Sequence, residues 1–267
     1  MTVWEIDFYR HSEKDEAGRD RWELLICDPA GALRYRAFCL QAQASAAWLQ
    51  TQLQQLSDAG ERLPKTVRVF RPQTLNLLEP VCATLGIELQ PTRRTSTLKR
   101  WQAEQPTHSV PLDRLPPVPL PENLWGDRWR FAALPAGDLV DAFHDRPIPV
   151  LEMPEELWPL GLGLSSTLPV PGVVIDGGRQ SKQLTSWLRS TNPVSLHYIS
   201  GAPDGLILEA GLVDRWVLTT FEDSDVKVAA QQFEQRKQAA QGLHFLLVQP
   251  DDSGMTYSGF WLLRNED

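Results

Sequence analysis

The densest run of prolines in the chain lies between residues 106 and 121, where six of the 21 prolines fall. Proline fixes the backbone angle φ and has no N–H group to donate, so such a run favours extended, polyproline-like backbone and excludes helix and sheet interiors. The sequence on both sides of this run is patterned for regular structure. We therefore predict two domains, residues 1–105 and residues 123–267, joined by a proline-rich linker at residues 106–122.

The first domain begins with three short runs of aromatic and aliphatic residues. The turn sequence Asp28-Pro29-Ala30-Gly31 separates the second run from the third, which indicates an antiparallel meander. Helix and strand patterns then alternate. The predicted elements are strands at 3–10, 22–28 and 33–38, a helix at 45–58 capped by Ser45, a strand at 67–71, a helix at 75–85 that Pro80 should kink or delay, a strand at 87–91 and a helix at 96–104 capped by Ser96.

Three antiparallel strands followed by helix, strand, helix, strand and helix is the element order of the ribonuclease H-like fold, which we use as an analogy. The second domain alternates as well. Its predicted elements are strands at 129–134, 172–175, 194–199, 206–209 and 215–220, helices at 137–143, 181–189 and 225–240, and a hairpin of 243–249 with 255–263. The predicted fold class is mixed α/β, with an N-terminal ribonuclease H-like domain and a second mixed α/β domain.

The composition is that of a soluble globular chain. Of its 267 residues 42% are apolar, enough for a substantial core, yet the chain lacks the run of about 18 apolar residues that crosses a bilayer. The first apolar stretch contains two acids, unlike a secretory or transit signal, and three cysteines without Cys-x-x-Cys spacing favour neither disulfides nor zinc. We expect a cytoplasmic protein without membrane insertion, metal or cofactor.

The charge of the chain is unevenly distributed. The net charge is −8, which is unfavourable for binding a polyanion, but residues 1–105 hold 14 Lys and Arg against 13 Asp and Glu. Residues 62–101 alone hold eight cations against two carboxylates. This segment is the one candidate anion-binding surface that the composition shows.

Nuclease chemistry in a ribonuclease H-like fold needs several carboxylates that converge on metal ions. Asp7 lies on the first strand, where such folds keep one of these acids, but the strand at 67–71 offers Arg68 and Arg71 instead of a carboxylate. Glu5 and Asp7 share a sheet face and could pair with arginines of a neighbouring strand, Arg34 and Arg36. The sequence therefore favours a catalytically silent domain.

Other catalytic or ligand motifs are weak. Asp176-Gly177-Gly178-Arg179 lies between a strand and a helix, where backbone amides could cradle a phosphate or could serve turn geometry alone. The five histidines are scattered without metal-ligand spacing, and no Gly-x-Ser-x-Gly sequence marks a nucleophile. We predict no catalytic residue and no metal ligand.

The best candidate site is basic. The segment 92–101 combines cations, hydroxyl groups, a helix start and one tryptophan, the components of single-stranded nucleic-acid binding; alternatively it is a solvated helix whose Trp101 packs in the core. We call the predicted cations the basic strip: Arg68, Arg71, Arg93, Arg94, Lys99 and Arg100, with Trp101 as the stacking residue. A rival site near the C-terminal hairpin contains Arg236 and Lys237.

Four segments resemble the Tab/Atab family of cyanobacterial and chloroplast RNA-binding proteins. They are Trp4-Glu-Ile-Asp-Phe-Tyr9, Trp22-Glu-Leu-Leu-Ile-Cys-Asp28, Val69-Phe-Arg-Pro72 and, above all, residues 233–263. Members of this family act in the translation of photosystem reaction-centre subunits by binding the untranslated leader of the messenger. The resemblance implies a cyanobacterial, cytoplasmic protein that works beside the thylakoid membrane.

We therefore expect a non-catalytic RNA-binding factor that assists the translation and biogenesis of photosystem subunits. Its expected partners are single-stranded RNA, the messenger leader of those subunits, and translation or assembly proteins. One alternative is a protein-interaction factor in photosystem assembly whose RNA contact is incidental. The other alternative is a metal-dependent nuclease.

Overall fold

The computed structural model describes residues 2–104, 116–141 and 158–265. The chain divides into two compact units, Met1–Arg114 and Leu115–Asp267, and each is described by itself. Most of the predicted linker, and the last two residues of the helix predicted at 137–143, lie outside the described residues. No described helix is both long enough and apolar enough to span a membrane.

The first unit contains a mixed sheet with helices on both faces. Strand β1 pairs antiparallel with β2 and β2 antiparallel with β3, whereas β1, β4 and β5 run parallel, giving the order β3-β2-β1-β4-β5. The elements are β1 (Val3–Arg10), β2 (Arg21–Cys27), β3 (Arg34–Leu40), α1 (Ala46–Asp58), β4 (Thr66–Val69), α2 (Pro72–Leu85), β5 (Glu88–Pro91) and α3 (Ser96–Ala103).

The two faces of this sheet bury different side chains. Trp4, Ile6 and Phe8 of β1 pack with residues of α1 and α2 such as Leu53 and Leu78. The opposite face of the sheet packs against α3 through a smaller apolar cluster. Because β1 is buried on both faces, its odd-numbered polar residues, Glu5 and Asp7 among them, are inside the protein.

The helix that contains Pro80 begins earlier than predicted. It starts at Pro72. Proline suits the first turn of a helix, because the N–H groups of that turn have no carbonyl acceptor within the helix and the N–H that proline lacks is not needed there. Pro80 lies on the exposed side of this helix, where water can hydrogen-bond the carbonyl group that the proline leaves without a donor. Ser45 caps α1 as predicted, since its hydroxyl accepts from the N–H group of Trp48 at 3.3 Å.

The described residues of the second unit form two four-stranded sheets, β6-β11-β10-β9 and β13-β12-β8-β7. The elements are β6 (Val118–Pro119), β7 (Arg128–Pro135), α4 (Ala136–Asp141), β8 (Pro169–Asp176), α5 (Ser181–Thr191), β9 (Pro193–Ile199), β10 (Asp204–Ala210), β11 (Asp214–Phe221), α6 (Ser224–Ala239), β12 (Leu243–Gln249) and β13 (Gly259–Arg264). The mixed α/β class is confirmed for the chain, and the ribonuclease H-like description of the first unit stays an analogy of element order.

The predicted linker includes residues that belong to the second unit. Val118 and Pro119 form β6, which pairs with β11, and Leu120 is buried in the core. Proline is tolerated there because β6 is an edge strand, where a missing N–H group need not break a ladder.

Apolar side chains of both sheets meet in one core in the second unit. Leu206 and Phe221 of one sheet and Val173 and Leu246 of the other belong to the same cluster, together with Phe233 of α6. Full burial of a side chain of this size contributes about 1.5–3 kcal/mol. A second cluster lies on the other face of the β12 sheet and includes Phe245 and Phe260.

One buried polar side chain in this unit has both of its polar atoms satisfied. His244 is fully buried; its Nε2 accepts from the Leu196 N–H group at 2.8 Å, and its Nδ1 lies 2.8 Å from the Gly242 carbonyl, to which it donates. A second proton would place an N–H group against the Leu196 N–H. Burial, and next the nearby Lys237 ammonium, lower the pKa of His244 to about 3.

This pKa predicts a loss of stability in mild acid. The unfolded chain binds a proton at His244 near pH 6.5 and the folded chain does not, so stability falls as pH falls below that value. Between pH 6.5 and pH 5.0 this group should remove roughly 1.5 kcal/mol from the free energy of unfolding. Urea unfolding of the second unit at both pH values, for the wild type and for His244→Gln, measures the difference. Equal pH dependence in the two proteins would contradict the prediction.

Candidate nucleic-acid interface

The basic strip lies on the face of the first sheet that α3 covers in part. Helix α3 packs against β1 and β2, which leaves the β4 and β5 part of this face accessible. Arg68 alternates with the buried Val67 and Val69 and therefore points to this accessible side, where its Nε donates to Gln90 Oε1 at 3.1 Å. The β4 and β5 part of this sheet face is thus polar and lies beside α3. We call it the polar platform.

Four more cations follow β5 in the chain. Arg93 and Arg94 lie in the segment between β5 and α3 and are half-buried, as is Lys99, whereas Arg100 is exposed. The Lys99 ammonium lies 5.9 Å from the centre of the Phe70 ring. We name Arg68, Arg93, Arg94, Lys99 and Arg100 the cation surface.

The N-terminus of α3 already holds an anion. Glu5 of β1 accepts a hydrogen bond from the Leu98 N–H group at 2.8 Å, so the carboxylate of a neighbouring strand satisfies the helix start. The predicted cap Ser96 is instead the first residue of the helix. Because a carboxylate occupies this position, a phosphate is not expected to bind on the axis of α3.

Arg71 belongs to the interior and is removed from the basic strip. Its side chain is 8% exposed and binds Asp7 through two hydrogen bonds, Nε to Oδ1 at 2.9 Å and Nη2 to Oδ2 at 3.1 Å. Thr74 of α2 and Gln102 of α3 also donate to Asp7, at 3.1 and 2.9 Å. Arg71 is therefore a core residue that could reach RNA only if this network opened.

The predicted pairing of Glu5 and Asp7 with Arg34 and Arg36 is wrong. Arg34 pairs with Glu104 at 2.7 Å, and Arg36 pairs with Glu23. Glu23 also accepts from the Tyr9 hydroxyl at 2.6 Å, and burial, with the Glu23 hydrogen bond second, raises the pKa of Tyr9. The arginines on β3 thus bind carboxylates nearer to their own edge of the sheet.

Trp101 is buried and is removed from the proposed RNA contacts. Together with Leu98 it forms the apolar side of α3, and the Arg34 guanidinium lies 5.6 Å from the centre of its ring. Its exposed fraction is 7%, so a base cannot stack on it. The alternative reading of this residue, a core tryptophan, is the one that the structure supports.

The rival pair near the C-terminus is divided in the same way. Arg236 is exposed on α6, but Lys237 is 2% exposed, and its ammonium donates to the Leu196 carbonyl at 2.7 Å and to Glu234 at 2.8 Å. Burial lowers the pKa of Lys237. Lys237 therefore belongs to the interior of the second unit, and of this pair Arg236 alone is available at the surface.

The turn at 176–179 is not an open phosphate cradle. An added Cβ at Gly178 would meet Asp127 Oδ2 at 2.1 Å, which means that a carboxylate lies directly against this glycine. Asp176 itself accepts from Arg130 at 2.9 Å and from Gln249 at 2.7 Å. A phosphate at this turn would face a fixed negative charge, and the glycines serve the close packing of the turn.

The second unit contains a cleft that the sequence does not predict. The cleft has a volume of about 530 Å³ and is lined by apolar residues of both sheets together with Trp125, Arg128 and Trp129. Trp125 is 55% exposed. Nothing in the sequence around Trp125 indicates this cleft, because only the fold brings Trp125 next to β11.

Comparison with known proteins agrees with a nucleic-acid-binding role. Residues 3–105 match the family model described as RNA-binding protein Tab2/Atab2 N terminal, and residues 107–264 match the one described as RNA-binding protein Tab2/Atab2, C-terminal domain. Both units are thus those of an RNA-binding protein family. The chain belongs to the Tab2/Atab2 family.

Two named relatives extend over nearly the whole chain. A protein named TAB2 homolog, chloroplastic, from Zea mays is 31% identical over 98% of this chain and 71% of its own length, and the protein of the same name from Arabidopsis thaliana is 29% identical over 98% and 74%. Among solved structures, a chain of the simian T-cell lymphotropic virus intasome in complex with PP2A regulatory subunit B56 gamma is 13% identical, over 45% of this chain and 58% of its own, with a TM-score of 0.25. That score is too low to support an argument about the fold.

The Asp7 network predicts a structural role for this carboxylate. Asp7→Asn removes the carboxylate that accepts two hydrogen bonds from the buried Arg71 guanidinium, and removal of one partner of a buried ion pair typically destabilises a protein by roughly 3–5 kcal/mol. Urea unfolding of the first unit measures the change. Asp15→Asn, which weakens the exposed ion pair with Arg19, is the control and should change the midpoint little. Equal effects of the two substitutions would contradict the role that we give to Asp7.

Proposed function

We propose that this chain is a non-catalytic factor that binds single-stranded RNA and assists the translation and biogenesis of photosystem subunits. Membership in an RNA-binding family supports RNA as the ligand. The photosystem role, the messenger leader as ligand, contacts with translation or assembly proteins, and a cyanobacterial cytoplasm beside the thylakoid as location rest on the family resemblance alone. The names of the two relatives give a chloroplast location for those proteins.

The cation surface is the part of the first unit that we propose contacts the RNA backbone. Its five members lie on β4, in the segment between β5 and α3, and on α3, at or near the surface, and Lys and Arg side chains there can neutralise successive phosphates. Such contacts position a strand without reading its sequence. The single observation that carries this proposal is that these five cations remain at or near the surface while Arg71 and Trp101 are buried.

A protein-interaction role is the second candidate, and the charge of the second domain favours it. Residues 106–267 hold 12 Lys and Arg against 21 Asp and Glu, so this half of the chain repels nucleic acid and attracts basic partners. A basic translation or assembly protein would suit it. If this role is correct, the RNA contact is incidental. Raising the ionic strength should then change the affinity for RNA and the affinity for the protein partner independently of each other.

RNA binding by the cation surface is tested by Arg93→Glu with Arg94→Glu. Each lost phosphate contact removes roughly 0.7 from the slope of log affinity against log salt for a single strand, so the slope should fall by about 1.4 and all RNA sequences should be weakened together. Fluorescence anisotropy with several labelled single-stranded RNAs over a salt series measures both quantities.

The matched control replaces two exposed arginines of the second unit, Arg189 and Arg236, with glutamate. The buried Lys237 is avoided, because its substitution would report on folding. Unchanged affinity after the Arg93 and Arg94 substitutions, with a loss after those at Arg189 and Arg236, would move the RNA contact to the second unit.

The nuclease alternative makes the opposite prediction about Asp7. The Asp7 carboxylate accepts from Arg71, Thr74 and Gln102, so a metal ion would have to displace a guanidinium to reach it, and the described residues contain no cluster of three or more potential metal ligands. We expect a labelled RNA to stay intact with Mg²⁺ or Mn²⁺. Cleavage by the wild type that disappears in Asp7→Asn would establish the nuclease instead.

A further inference from the structure

The cleft of the second unit opens the apolar core between its two sheets. Val173 and Ile175 of β8 and Leu184 of α5 lie among its lining residues, and β11 supplies the opposite wall from Val217 to Thr220. Its volume of about 530 Å³ lies within the roughly 300–1,000 Å³ that small-molecule sites occupy. The cleft is large enough for a flat ring system to enter.

The wall formed by β11 carries backbone groups that can hydrogen-bond a ligand. Strand β6 pairs with β11 only at Trp216 and Val217, and the Leu120 N–H group donates to the Val217 carbonyl at 3.1 Å. Beyond that point β6 ends, so within the described residues β11 is an open sheet edge from Leu218 to Thr220. An open edge presents peptide N–H and C=O groups to whatever fills the cleft.

The rim supplies an aromatic face and a cation. The indole of Trp125 is held in place, because its Nε1 donates to the Leu120 carbonyl at 3.0 Å, and the Gln180 amide, with its nitrogen facing the backbone, donates to the Trp125 carbonyl at 2.6 Å. Arg128 is exposed, and Arg130, not Arg128, binds Asp176. Among the described residues no carboxylate forms an ion pair with Arg128.

We propose that this cleft binds one unstacked base of a single-stranded RNA, with Trp125 against the base and Arg128 on the adjoining phosphate. The proposal rests on the RNA-binding function proposed above and adds a second contact, in the other unit. Single-stranded RNA is commonly read through bases that are splayed out, stacked on aromatic rings and hydrogen-bonded along their edges. The aromatic face and the open strand edge suit the stacking and the edge hydrogen bonds, and the arginine suits the adjoining phosphate.

An acyl chain is the competing occupant, and the open edge of β11 argues against it. A hydrocarbon would cover the peptide groups of Leu218 to Thr220 that face away from β10 and would offer them no hydrogen bond, which is unfavourable for each such group. A base edge offers both donors and acceptors. The Arg128 guanidinium can bind a phosphate. Arg128 and Trp125 both line the cleft, so one nucleotide could contact both residues.

The test uses the full chain and a fluorescein-labelled, 12-nucleotide single-stranded RNA of mixed sequence. Trp125→Ala should weaken binding roughly 5- to 150-fold, the range expected for the loss of one base–aromatic stack, with little change in the salt slope. Trp125→Phe should restore most of the affinity. Arg128→Gln should lower the salt slope by about 0.7, and Arg189→Gln, on an exposed position of α5 outside the cleft lining, is the matched control.

A second measurement locates the ligand without any substitution. Methyl NMR signals of Leu184, Leu206, Ile175 and Val217, which line the cleft, should shift when the 12-nucleotide RNA is added. Shifts produced by palmitate and absent with RNA would overturn the proposal in favour of a lipid.

The outcomes separate this proposal from the function on which it rests. If Trp125→Ala binds the RNA as the wild type does while the Arg93 and Arg94 substitutions weaken it, the cleft is not an RNA site and the RNA-binding function stands. If the wild type does not bind the 12-nucleotide RNA even at low salt, both proposals fail together.

Discussion

The bidentate pair of Asp7 and Arg71 organises the first unit. Asp7 lies at the centre of β1, Arg71 directly precedes α2, and the same carboxylate accepts from Thr74 of α2 and Gln102 of α3. One buried charge therefore ties a central strand to the helices on both faces of the sheet. A buried ion pair adds little net stability compared with apolar packing, but loss of one partner is costly, so its main effect here is to specify one arrangement of these elements.

This pair also bears on the chemistry that we expect of the first unit. A carboxylate at the position of Asp7 is what nuclease chemistry would use, and the guanidinium of Arg71 occupies the space in which a cation would neutralise it. The same contact removes Arg71 from the surface, which leaves five of the six predicted cations around β4, β5 and α3. The RNA contact that we propose therefore lies on the side of the sheet that α3 leaves uncovered.

The sequence predicts the order of the elements well, because the periodicity of apolar residues is a local property. Partners are not local. Glu5 and Asp7 could be placed on one sheet face from the alternation of β1, but nothing in the sequence distinguishes Arg71 from Arg34 and Arg36 as the partner of Asp7.

Burial of individual cations is predictable in part. Ala230, Phe233, Lys237 and Ala240 follow one another at helical spacing, and all four are buried, so the position of Lys237 on the apolar stripe of α6 could have identified it as a core residue. The same reasoning applies to Leu98 and Trp101 of α3. The cleft could not be found in this way, because it depends on where β6 stops along β11, which is a property of tertiary pairing.

In the function that we propose, each unit makes a different kind of contact with RNA. Phosphate contacts by the cation surface depend on salt and are nearly independent of sequence, whereas a base held against Trp125 depends on the shape and hydrogen-bonding edge of that base. The second domain is acidic overall, so a strand would not be drawn there by charge alone. We therefore propose that binding at the cleft depends on the first unit holding the strand, and that sequence preference arises when both contacts are made on one RNA. In that arrangement the weaker, sequence-dependent contact gains from the effective concentration that the first contact provides.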